Sequence, residues 1–148
     1  RAFYPGGPRE LDLPEPGTGW FQGRYLDFAD VDGSGLPDAV VVARNYDTNR
    51  SAIFWYRNAG PRDNPHFVSP TLLYQSPQSG GAIGAVDVTD LDGDNLFDIA
   101  FVEFTMIPAD EPPRLFFMRN IGDADTPHER RRRTSFPYRT CFPGRGKP

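Results

Sequence analysis

The sequence predicts an all-β fold of about two four-stranded blades, and three observations carry that prediction. Gly (15) and Pro (16) are abundant among the 148 residues, aromatics reach 14%, and no window keeps a helical apolar period. The chain repeats itself at a shift of sixty residues, which pairs Asp30 with Asp90, Gly33 with Gly93 and Asp38 with Asp98. The repeat is centred on two acid-crowded loops, "DVDGSGLPDAVVV" from Asp30 and "DLDGDNLFDIAFV" from Asp90, each running directly into an apolar stretch.

Each unit reads as a series of short strands. In the first, "RYLDFA" enters the acidic loop, "DAVVVA" leaves it, "AIFWYRN" follows and "FVSPTLLY" closes; in the second, "GAVDVT", "DIAFVEF" and "RLFFMRN" take the same places. The runs "AIFWY" and "LFFM" are continuous rather than alternating, which suits strands covered on both faces, as when a sheet packs between two neighbours in a β-propeller. "RNAGPRDNPH" (57–66) aligns with "RNIGDADTPH" (119–128) at sixty-two, and the two extra residues fall in the Pro-rich loop "TMIPADEPP". The divisions are then 1–19, the last strand of a preceding blade ("RELDL") and a linker; 20–79, the first blade; 80–128, the second; and 129–148, a basic Pro/Arg-rich tail that replaces the fourth strand of unit two. A propeller closes with about 4–8 blades, so the chain is expected to be part of a larger propeller or assembly. On that count "AIFWY" should be exposed and need covering by further blades, copies or a protein partner.

Net charge is −4, made of −10 over 1–128 and +6 over 129–148. An acidic body excludes nucleic-acid binding over most of the surface. Cys141 has no partner, which rules out an internal disulfide and a thiol metal site, and no apolar run is long enough to cross a membrane as a helix.

The loops carry the chemistry. Counting from the first Asp, loop one offers Asp30, Asp32, Ser34, the carbonyl of Leu36 and Asp38 at positions one, three, five, seven and nine; loop two offers Asp90, Asp92, Asp94, the carbonyl of Leu96 and Asp98. Alternate oxygens from a tight turn suit Ca²⁺, which takes about 6–8 of them at ~2.3–2.6 Å. Gly33, Gly35, Gly93 and Asn95 are the residue types that accept the positive φ such wrapping demands. An EF-hand needs a bidentate Glu at position twelve and flanking helices; here that position is Val41 or Phe101, each within a strand. Two Ca²⁺ sites are therefore predicted. Loop two has four carboxylates against three in loop one and should bind more tightly. Asp27 and Asp87, outside the pattern, are either acceptors behind the ligands or, by preference, turn residues.

The pattern D-x-D-G-[SD]-x-hydrophobic-x-D entering a hydrophobic strand, followed by a strand ending in "RNAG" or "RNIG", resembles the FG-GAP/VCBS repeat family across residues 25 to 122. The resemblance implies a propeller blade, Ca²⁺ between its first two strands, and an extracellular or secreted setting. Ser34 in place of an acid and the degenerate end of unit two depart from it.

Other residues point elsewhere less strongly. His66 and His128 recur in equivalent Pro-His turns, which favours hydrogen bonding over catalysis, and no nucleophile triad, phosphate loop or isolated carboxyl pair stands out. Trp55 and Tyr56 read as blade core; Trp20 is the candidate for an exposed, ligand-stacking aromatic. "RRRR" (130–133) reads as a solvated tail, and "NRS" (49–51) as a glycosylation pattern in a hairpin loop. The expected function is non-enzymatic: a calcium-stabilised repeat protein for extracellular binding, adhesion or assembly. The alternatives are a fragment or accessory module of a secreted carbohydrate-active enzyme or lectin, with a glycan ligand, and a structural polymer subunit.

Overall fold

The computed structural model describes residues 13–105, 112–122 and 138–141. Among them there is no helix, and the chain forms two antiparallel four-stranded meanders. Sheet one comprises β1 (Trp20–Ala29), β2 (Asp38–Asn45), β3 (Arg50–Tyr56) and β4 (Thr71–Gln75), in that order. Sheet two comprises β5 (Gly81–Thr89), β6 (Asp98–Thr105), β7 (Arg114–Asn120) and β8 (Tyr138–Cys141). Both acidic loops occupy the same place, between the first and second strand of their sheet, and β1 and β5 each carry a register shift in their pairing with the next strand.

The strands follow from the apolar runs. All eight residues of β2 are buried, because its two faces serve two different cores. Val40 and Val42, with Ile53 of β3, face sheet two and meet Ile83, Val88, Ile99, Phe101, Phe116 and Met118. Tyr74 joins this layer, its ring 4.8 Å from Phe101, which stacks on Phe116 at 5.3 Å. The alternate residues Ala39, Val41 and Ala43 pack with Ala52, Phe54, Tyr56 and Phe67 on the far face, against Leu13 and Trp20. The two sheets are also tied by polar contacts. Asp27 Oδ2 accepts the Val88 N–H at 2.8 Å, Arg44 donates to the Gly81 carbonyl at 3.1 Å, Asn120 Nδ2 donates to the Val31 carbonyl at 3.0 Å, and the Tyr74 hydroxyl donates to Glu103 at 2.8 Å.

Three expectations are corrected. "AIFWY" is not an exposed face: Ala52, Ile53, Phe54 and Tyr56 are buried, since sheet two covers one side of β3 and Leu13, Trp20 and Phe67 the other. The most exposed of the large apolar side chains among the described residues is instead Leu115 of sheet two, at 69%, and Tyr25, Leu26, Phe28 and Leu72 of sheet one are exposed as well. Asp27 and Asp87 lie within β1 and β5 rather than in turns, and Asp27 bonds across the sheets. The third concerns the tail, part of which, Tyr138–Cys141, supplies the fourth strand of sheet two, paired with Phe117–Asn120. Residues 9–12 of "RELDL", His128 and "RRRR" lie outside the described residues.

Candidate metal centres

Each loop leaves a strand at a buried–exposed boundary and returns through a turn that L-residues with bulky side chains resist. Gly33, Gly35 and Gly93 have φ of 72°, 84° and 80°, and Asn95 has 68°. The turn is held by its own acids. Asp30 Oδ2 accepts the Gly35 N–H at 2.8 Å and Asp32 Oδ1 the Ser34 N–H at 3.0 Å, while the Ser34 hydroxyl approaches Asp30 Oδ1 at 3.5 Å. In loop two, Asp90 accepts from Gly93 (2.7 Å) and Asn95 (2.9 Å), and Asp92 from Asp94 N–H at 3.3 Å.

These turns bring carboxylates together. One oxygen from each of Asp30, Asp32 and Asp38 lies within 4.8 Å of the others, and the same holds for Asp90, Asp92 and Asp98. An all-oxygen set of this charge, open to solvent through Asp32 and Asp92, fits a hard divalent cation. Ser34 stands beside this cluster, and Leu36 and Leu96 lie half-buried within the loops. Asp94 is not one of the three converging carboxylates: its Oδ1 accepts the Leu96 N–H at 2.9 Å and its Oδ2 accepts from Arg119 Nη2 at 3.0 Å. Arg119 Nε also pairs with Asp92. These contacts, the Leu96 bond foremost, hold the Asp94 carboxyl below its ordinary range, and Asp94 and Asp92 raise the Arg119 guanidinium.

Asp38 and Asp98 are the anchors. Both side chains are fully buried at the start of the second strand of their sheet. Asp38 Oδ2 accepts from Val31 N–H (3.2 Å) and Trp55 Nε1 (3.0 Å), and its Oδ1 from Asn58 N–H (2.7 Å). Asp98 accepts from Leu91 N–H (3.1 Å) and Asn120 N–H (2.7 Å). Burial pushes the Asp38 carboxyl up despite the bonds from Asn58 and Trp55, so a cation that neutralises it relieves a real cost.

Asn58 and Asn120 are the participants that the ligand pattern does not nominate. Each backbone N–H fixes an anchor carboxylate, and each side-chain amide bridges back to the loop, at the carbonyls of Pro37 (3.1 Å) and Phe97 (3.2 Å). The repeated "RN" step is their signal in the sequence. His66 uses its backbone N–H to bond Asn58 Oδ1 at 3.1 Å. Trp20 is half-buried and set edge-on to Phe54 with ring centroids 5.3 Å apart, so much of its surface is engaged within sheet one. Asn49 of "NRS" adopts a φ of 55° and accepts a bond from Arg44.

The model of the FG-GAP-like repeat family matches residues 30–101. No curated protein and no solved structure matches the chain. The matched span contains both acidic loops and the strands between them; over residues 30–101 the chain is similar to the FG-GAP-like repeat.

Proposed function

We propose that the chain is a non-enzymatic, calcium-binding repeat module acting in extracellular binding, adhesion or assembly. The observation that carries the reading is the convergence of three carboxylates, in the same order and spacing, in each of two loops at equivalent places in two sheets. Calcium is the best-fitting ion because the ligands are hard oxygens set at alternate positions of a turn, and millimolar extracellular calcium would fill even a weak site of this kind. Among the described residues no helix is long and apolar enough to span a membrane. The role of the ion is structural: it neutralises acids that otherwise repel one another at the entry to β2 and β6.

Support for a binding or assembly role comes from sheet two. Cross-strand pairing places Ala85, Val102 and Leu115 in one row and Asp87, Ala100 and Phe117 in the next, on the face turned away from sheet one. This is the face that, in sheet one, holds Val40, Val42 and Asp27 and receives sheet two. A further sheet of the same kind, offering a strand N–H to Asp87 as Val88 does to Asp27, is the partner this surface fits.

Calorimetric titration tests the metal reading: two calcium ions are expected to bind, and Asp30→Asn or Asp90→Asn each to remove one. No calcium binding by the parent chain would overturn it. Light scattering tests assembly: a mass above the monomer in calcium supports docking of further copies, whereas a monomer at all concentrations assigns the face to a different protein carrying such a sheet.

A further inference from the structure

We propose that Arg119 is the resident counter-cation of the second loop, and that its pairing with Asp92 and Asp94 makes loop two the weaker calcium site. This rests on the calcium reading above and reverses the order that the carboxylate count predicts. Among the side-chain ligand positions the loops differ at one, Asp94 against Ser34, which nominally gives loop two an extra negative ligand. In the structure that extra carboxylate is spent on the guanidinium: Arg119 Nη2 donates to Asp94 Oδ2 at 3.0 Å, and Arg119 Nε takes Asp92, one of the three converging ligands. Loop one has no such competitor among the described residues. Arg57, in the equivalent "RN" step, pairs with none of its acids, and Trp55 Nε1 instead holds Asp38 Oδ2 in place, where loop two has Phe117 opposite in the repeat.

The consequence is a competition between two cations. A divalent ion entering loop two must draw Asp92 away from a planar fork that matches carboxylates well, and it meets a fixed positive charge at bonding distance. Since Arg119, Asp92 and Asp94 all stand at the surface, the pairing is open to screening. Filling of loop two then frees Arg119 from the loop, so the charge displayed on β7 depends on calcium level while loop one stays filled.

The test isolates loop two in the full chain with Asp30→Asn and compares it, by calcium calorimetry, with Asp30→Asn/Arg119→Gln. Loss of the guanidinium is expected to raise loop-two affinity roughly three- to tenfold at low salt, with the gain shrinking as potassium chloride is raised. Arg57→Gln on an Asp90→Asn background is expected to leave loop-one affinity unchanged. An unaltered or weaker loop two in the Arg119→Gln chain overturns the proposal. Should Asp30→Asn fail to fold, the unsubstituted chain serves: terbium emission sensitised through Trp55 reports loop one, and it is expected to saturate with the first equivalent bound. Emission that appears only with the second equivalent overturns the order. If the parent binds no calcium, the functional reading falls and takes this proposal with it; calcium binding that ignores Arg119 overturns this proposal alone.

Discussion

Replacing Asp38 by alanine is expected to destabilise the protein by about 3 kcal/mol or more even in chelator, because it strands three donors at once. Val31 N–H, Asn58 N–H and Trp55 Nε1 all end on this one buried carboxylate. Each buried donor left unmet costs about 1–3 kcal/mol, against a total stability of roughly 5–15 kcal/mol for a domain. Asp32→Ala is the informative comparison. Asp32 is exposed and, among the described residues, accepts only the Ser34 N–H, so its loss should be nearly silent in chelator and cost calcium binding instead. Urea unfolding of both variants in chelator checks this. Equal midpoints would mean that Asp38 matters only as a ligand and that its hydrogen bonds hold nothing.

Chelation of the parent chain is expected to have the larger effect still. An ion bound only by the folded state stabilises it by about 2.7 kcal/mol when its concentration is about 100 times Kd. Two such sites together contribute roughly 5 kcal/mol, which for a chain of this size corresponds to a fall of roughly 10–20 °C in Tm on chelation. Asp30→Asn and Asp90→Asn should each forfeit part of that shift, and on the argument from Arg119 the loop-one variant should lose more. A Tm that is the same in calcium and chelator would remove the ion from the stability of the fold.

Much of this architecture is legible in the residues themselves. "DAVVVA" has no polar alternation, and β2 is buried on both faces. The nine-residue acid spacing and the glycines within it specify a turn, and Gly33, Gly35, Gly93 and Asn95 all adopt the positive φ their types permit. What is not legible is set by long-range contact. The cover over "AIFWY" comes from Leu13 and Phe67, in irregular segments that show no strand period, and from Trp20 at the very start of β1. Asp27 reads as a turn acid because its acceptor role depends on a strand sixty-one positions away. Tyr138–Cys141 sits beyond a basic run that masks its register in the repeat. The equivalence of the two loops also conceals a difference: an arginine at the end of a strand looks like ordinary surface charge until its fork is found on Asp92 and Asp94.

The most direct measurement is the equilibrium stability of the parent chain as a function of free calcium. Linkage makes the slope of stability against the logarithm of free calcium equal to RT times the number of ions taken up on folding. A slope that steps from zero to one ion and then to two as calcium rises is the predicted result: two loops, filled in sequence, each requiring the folded repeat. A slope of zero across the whole range would contradict it.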